Sequence, residues 1–186
     1  MEMKARGYEV AGISRRLGVD AADETQVKAA FSGLARLDTL VNNAAWLVKK
    51  PFAELSADEW DLQLKSTLRS AFLCGREAFN RMRAGGTIVN VSSLSGVTGT
   101  EKFPGMAAYV AAKSGLAGLT EALAVEGRPL GIRVNAVSPG AIRTPMLKIS
   151  GVAGSAFEPA AVAKVIAWLA GPESEPITGA NLHLEP

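Results

Sequence analysis

Apolar positions along this chain repeat with two different periods. Short runs dense in Ile, Val and Leu stand at Tyr8–Ser14, Leu37–Asn42, Gly86–Ser92, Ile132–Val137 and Thr178–Leu184, each bounded by Gly, Pro or polar residues, and each predicts a strand. Gly86–Ser92 is the richest in Ile and Val, as a strand covered on both faces should be. Between these runs the apolar spacing lengthens to that of helices. One opens at the acidic turn Asp23-Glu24 and runs through Ala30 to Leu34. A second follows Ser56-Ala57-Asp58-Glu59, which has the form of a capping box, and extends to about Met82. A third is the Ala/Leu-rich stretch Tyr109–Glu126, and a fourth is bracketed by Pro159 and Gly171. Strands alternating with helices predict a parallel sheet with helices on both faces, a three-layer α/β/α arrangement formed as one domain over residues 1–186.

Composition narrows the function classes. With 48% hydrophobic and 20% charged residues the chain is long enough for a well-buried core. Its 20 basic and 18 acidic residues include no dense Lys/Arg run, which argues against a nucleic-acid arm or a membrane-surface helix. Charges at Glu2, Lys4, Arg6 and Glu9 leave the first ten residues without a signal-peptide core or membrane span. The single cysteine, Cys74, sits among Phe72, Leu73 and Phe79 and reads as a small buried hydrophobe. A cytoplasmic protein is the expectation. His183 stands alone near the end of the chain, and no metal site is expected.

Three clusters carry candidate chemistry. They are Asn42-Asn43-Ala44, then Ser92-Ser93, then Tyr109-Val110-Ala111-Ala112-Lys113. Four residues along a helix bring two side chains to one face, about 5–6 Å apart at Cβ, so Tyr109 and Lys113 can interact. A nearby ammonium favours the phenolate, lowering the phenol from its ordinary value and making Tyr109 a candidate general acid/base. A phenol that gives its proton to a carbonyl oxygen as hydride reaches the carbon stabilises the charge growing there, and Ser93 would hydrogen-bond the same oxygen. Singly, each cluster has an ordinary reading: a core edge with a solvated charge, a hydroxyl capping a turn, and an Asn-Asn turn.

In this order, and with Arg133-Val134-Asn135-Ala136-Val137-Ser138-Pro139-Gly140 and Thr144 following, the clusters resemble the short-chain dehydrogenase/reductase family from about Ala5 to the C-terminus. The resemblance implies a Rossmann-like doubly wound sheet and a carbonyl reductase or alcohol dehydrogenase using a nicotinamide cofactor. It also implies that Lys113 holds the nicotinamide ribose, that Asn42 and Ala44 line the adenosine ribose, and that Asp20 lies near the adenine. The segment Pro139, Gly140, Ile142 and Thr144 would hold the carboxamide. Ser14, Arg15 and Arg16 fall at the strand edge where the adenosine ribose is placed. No acid occupies that edge, and forked guanidinium donors suit a 2′-phosphate, so NADP is expected over NAD. Helices Ala57–Met82 and Tyr109–Glu126 resemble those that pair across dimer axes, which implies a homodimer or homotetramer acting on small-molecule carbonyls or alcohols, with no nucleic-acid or membrane partner.

The chain also departs from the family pattern. The glycine-rich phosphate loop, the first strand and an early crossover helix are not found, so an N-terminally truncated sheet is expected. Gly12-Ile13-Ser14-Arg15-Arg16-Leu17-Gly18 resembles a degenerate glycine loop, and Tyr8–Ser14 is expected to move into the vacant slot beside Leu37–Asn42. Thr67 stands where the family has a fourth catalytic residue, an Asn, and a hydroxyl lacks the amide's separate donor and acceptor. Thr100–Gly105 is a short insertion that a surface loop would absorb. The competing class is a cofactor-free, catalytically silent remnant acting as a structural or oligomeric binding protein. A third reading is an ordinary enzyme whose start lies upstream of this sequence.

Overall fold

The structure is a computed structural model that describes residues 2–186. In chain order its elements are α1 (Glu2–Ala5), α2 (Glu24–Ser32), β1 (Thr39–Asn42), α3 (Ala57–Leu64), α4 (Ser70–Phe79), β2 (Thr87–Val91), α5 (Ala107–Gly127), β3 (Arg133–Pro139), α6 (Pro145–Ser150), α7 (Pro159–Ala170) and β4 (Asn181–Leu184). The four strands form one parallel sheet in the order β1-β2-β3-β4. Every residue of β2 is buried, as its apolar run requires of a strand covered by helices on both sides.

Local chemistry sets the helix ends. Ser56 Oγ accepts from the Glu59 backbone amide at 3.2 Å, and the Glu59 carboxylate accepts from the Ser56 amide at 2.9 Å, so the capping box opens α3 where expected. The helix does not run smoothly to Met82. Between α3 and α4 the residues Lys65–Arg69 form a widened π turn. Around it, Ser66 donates to the Leu62 carbonyl at 2.6 Å and Ser70 to the Ser66 carbonyl at 3.0 Å, which supplies partners where the ordinary helical ladder shifts. At the other end of the core, α5 stops at Gly127, where a Cβ would lie 2.5 Å from the Ile132 carbonyl oxygen and block the return into β3.

The two faces of the sheet carry separate cores. Leu40, Ile88 and Val134 pack against Leu73, Cys74 and Ala78 of α4, Val27 and Phe31 of α2, and Ala124 of α5. Val89 and Val137 pack on the opposite side against Val162 and Leu169 of α7, with Met3 of α1. Cys74 is buried as expected, and burial pushes its thiol up to about 11, out of the reactive range.

The N-terminal segment overturns one expectation. Tyr8–Ser14 is irregular, and among the described residues β1 pairs only with β2, so this segment does not join the sheet as a strand beside β1. The cause is the route of the chain. Met3 belongs to the α7 side of the sheet while Ile13 and Ala21 belong to the α2–α4 side, so the residues between must cross from one layer to the other. A segment pinned on opposite faces cannot also lie flat along a strand edge. The next stretch, Arg15–Leu17, makes one 3-10 turn closed by Gly18 at φ 81°, and α2 begins only at Glu24. No strand forms between Gly18 and Ala21, consistent with a connection too short for a crossover.

Candidate active site

Because all four strands are parallel, the loops leaving β1, β2 and β3 emerge at the same sheet edge, where open α/β sheets place their ligands. There they surround a cleft of about 770 Å³, lined among others by Asn43, Ser92, Ser93, Tyr109, Lys113, Pro139, Gly140, Ile142 and Thr144. Seven of the residues named from the sequence thus come together: Ser93, Tyr109, Lys113, Pro139, Gly140, Ile142 and Thr144.

Ser93 and Tyr109 are held in register by a staple between the loop after β2 and helix α5. Ser92 Oγ donates to the Lys113 carbonyl at 3.0 Å, Ser114 Oγ donates to the Gly96 carbonyl at 3.1 Å, and a Cβ on Gly96 would sit 2.6 Å from the Lys113 carbonyl carbon. Only glycine permits that approach. Ser93 itself starts a short turn, its Oγ accepting from the Ser95 amide at 3.2 Å. Tyr109 lies in the first turn of α5, buried against Leu47 and Met106.

The charge pattern differs from the one expected of the Tyr/Lys pair. Burial pushes the Tyr109 phenol up from its ordinary value, and the downward pull comes from its hydrogen bond with Ser93. Lys113 Nζ lies 5.8 Å from the centre of the Tyr109 ring but donates to the Val91 carbonyl at 2.6 Å. Its own burial lowers the ammonium to about 8. The expected lowering of the phenol by Lys113 is therefore not what this geometry produces, because burial penalises the phenolate and the Lys113 ammonium is aimed at the Val91 carbonyl.

The remaining predicted residues lie outside the cleft lining. Asn42 turns its amide into the sheet, donating to Asn90 Oδ1 at 2.8 Å, while Asn90 donates to Thr120 Oγ1 at 2.9 Å. Ala44 is exposed. Asp20 caps its own turn, Oδ1 accepting from the Ala22 amide at 3.0 Å. Ser14, Arg15 and Arg16 are exposed, and the Arg15 guanidinium sits 5.6 Å from the Trp46 ring centre, on the loop that leaves β1. Thr67 is buried within the π turn, and its hydroxyl accepts from Gln63 Nε2 at 3.2 Å.

Two features escaped the sequence reading. Gln63, fully buried, also donates to the Trp46 carbonyl at 2.7 Å and accepts from the Val48 amide at 3.1 Å, so it clamps the strap that presses Leu47 toward Tyr109. An amide four residues before Thr67 on one helix face was its only signal in the sequence. The insertion Thr100–Gly105 is more than a passive loop, since Glu101 and Phe103 form part of the cleft wall.

Comparison with known proteins agrees with this architecture. A family model described as enoyl-(acyl carrier protein) reductase matches residues 3–185. The chain is 38% identical to the trans-4-hydroxycyclohexanecarboxylate dehydrogenase of Sinomonas cyclohexanicum, over 86% of this chain and 63% of that one. It is 39% identical to a cyclopentanol dehydrogenase of Comamonas, over 81% of this chain and 65% of that one, so it spans slightly under two thirds of either relative. A short-chain dehydrogenase of Burkholderia cenocepacia, solved in complex with NADP, superposes with a TM-score of 0.85 at 28% identity, covering 98% of this chain and 78% of that one. Parallel sheet, cleft at the strand ends and match along nearly the whole sequence lead to one conclusion: the chain belongs to the short-chain dehydrogenase/reductase family of oxidoreductases.

Proposed function

We propose that this protein is an NADP(H)-dependent carbonyl reductase or alcohol dehydrogenase in which Tyr109 is the general acid/base. The observation that carries the reading is the convergence of Ser93, Tyr109 and Lys113 on one wall of a cleft whose other wall is Pro139, Gly140, Ile142 and Thr144. A nicotinamide cofactor, when bound, supplies or accepts the hydride. The lining supports such a ring: Gly140, Ile142 and Thr144 face the cleft, and the Thr144 hydroxyl, which donates to the Ile142 carbonyl at 3.3 Å, and the Ile142 backbone are the polar groups there that a carboxamide would meet.

Each step of reduction then has a residue. Ser93 donates to the substrate carbonyl oxygen and orients it. Tyr109, whose burial keeps the phenol protonated at neutral pH, passes its proton to that oxygen as charge develops. Lys113, charged below about 8, stands beside the ring with its ammonium held by the Val91 carbonyl, and the hydrogen bond from Ser93 is what favours the phenolate left behind. In the oxidative direction the phenolate must form first, so alcohol oxidation gains with rising pH. Thr67, shielded from the cleft, acts through packing of the strap rather than on substrate.

Arg15 and Arg16, with Trp46 beneath Arg15, support a preference for a 2′-phosphate, as does the NADP bound by the Burkholderia protein. The relatives are named for alicyclic alcohols with and without a carboxylate and for hydroxysteroids, which supports a cyclic secondary alcohol or its ketone as the substrate. The outer faces of α3, α4 and α5 expose Leu62, Phe72 and Val125, which supports self-association into a homodimer or homotetramer.

Titration of the purified protein with NADPH, followed by fluorescence, tests cofactor binding, and ketone reduction by the wild type and Tyr109→Phe tests the chemistry. The variant is expected to retain binding and lose about 10²–10⁴-fold in turnover. Absence of binding at millimolar NADPH defeats the reading. That outcome favours the alternative, a cofactor-free oligomeric binding protein, which is supported by the lack of a helix N-terminus directly behind Gly12–Gly18.

A further inference from the structure

The cleft has a charge character that selects among substrates. Its apolar wall is built by Leu47, Phe103, Met106 and Met146, and among the described residues its one basic lining residue is Lys113, which is buried and bonded to the Val91 carbonyl. Two carboxylates, Glu101 from the insertion and Glu185 from the end of β4, also line it. Basic groups on the surrounding loops are engaged elsewhere. Lys50 pairs with Glu59 at 2.8 Å and Arg143 with Glu158 at 2.6 Å. Lys49 donates to the Ser150 carbonyl, and Lys102 to the Val97 carbonyl and Thr100. Neither Lys148 nor any arginine lines the cleft.

From this we infer that the site takes neutral, apolar alcohols and ketones and rejects substrates carrying a carboxylate or phosphate, with Glu101 and Glu185 as the specificity-determining residues. An anionic substituent would lose its hydration to an apolar wall without gaining a cation, and would face two like charges. A neutral ring with an amide or no polar substituent meets neither cost. Specificity here is set by repulsion as much as by contact.

The inference deepens the oxidoreductase reading, and its test separates the two. Oxidation of 4-hydroxycyclohexanecarboxamide and 4-hydroxycyclohexanecarboxylate, isosteres that differ in charge, is followed with NADP⁺ as hydride acceptor. The kcat/KM ratio is expected to favour the amide by about tenfold or more at low salt and to shrink as ionic strength rises, since the two glutamates are not buried. Combining Glu101→Gln with Glu185→Gln should bring the ratio toward one. In parallel, ligand-observed NMR gives the ratio of dissociation constants for cyclohexanecarboxamide and cyclohexanecarboxylate without cofactor. A ratio near one, or in favour of the acid, in the binding measurement overturns the charge rule. Absence of turnover with both alcohols counts against the oxidoreductase reading alone, because the binding ratio still decides the charge rule.

Discussion

Replacing Lys113 by Met tests the electrostatics of the site without reference to turnover. The lysine is 3% exposed and its ammonium falls from an ordinary 10.5 to about 8 through burial. In the window between those two values the unfolded chain keeps the proton that the folded chain has released. Stability therefore rises with pH across the window, by at most about 3 kcal/mol at 1.36 kcal/mol per pKa unit. Below about 8 both states are protonated and the contribution is flat. Met preserves most of the stem volume but leaves the Val91 carbonyl without its donor, which costs a constant amount. Tyr109, with a raised phenol, loses stability only above its ordinary value of 10.0, and it does so in both proteins. Urea unfolding of wild type and Lys113→Met from about pH 7 to about pH 10 isolates the term as the difference between two curves. The wild type should gain on the variant as pH rises. Parallel curves would show a solvated lysine, and a wild type that loses ground would show one held charged by its surroundings; either refutes the reasoning.

Two further substitutions probe the packing behind the site. Gly96→Ala should destabilise by about 2 kcal/mol in denaturant unfolding, because its Cβ meets the Lys113 backbone at 2.6 Å and the staple to α5 must yield; wild-type stability would contradict the close approach. Gln63→Leu leaves the Trp46 carbonyl, the Val48 amide and the Thr67 hydroxyl without their partner and should cost about 3 kcal/mol in the same unfolding measurement, and Gln63→Glu should not recover it, because a carboxylate can accept from the Val48 amide but cannot donate to the Trp46 carbonyl; wild-type stability of the Leu variant would contradict the clamp.

Much of the fold was legible because it rests on local periodicity. The apolar runs at Leu37–Asn42, Gly86–Ser92 and Ile132–Val137 became β1, β2 and β3, and the capping box at Ser56 opened α3, since pleat, helix pitch and cap chemistry act over a few residues. The Ser93, Tyr109 and Lys113 side chains were likewise named from order and spacing, and the parallel sheet brings them to one edge. Tyr8–Ser14 failed the same reading. Its alternation suits a strand, yet a strand needs a partner within reach of its backbone, and the two ends of this segment are anchored on opposite faces. Asn42 was named as a ribose ligand from its place in the chain, and its amide contact with Asn90 became visible only through the register of β1 on β2. The direction of the Tyr109 shift was equally out of reach, because it depends on how much water Leu47 and Met106 exclude. What the sequence determined by itself was the set of elements and the chemistry each one bears. Which of those groups meet, how dry they are, and which charges face an entering substrate were decided by the tertiary structure, because burial and pairing are properties of surfaces brought together from distant parts of the chain.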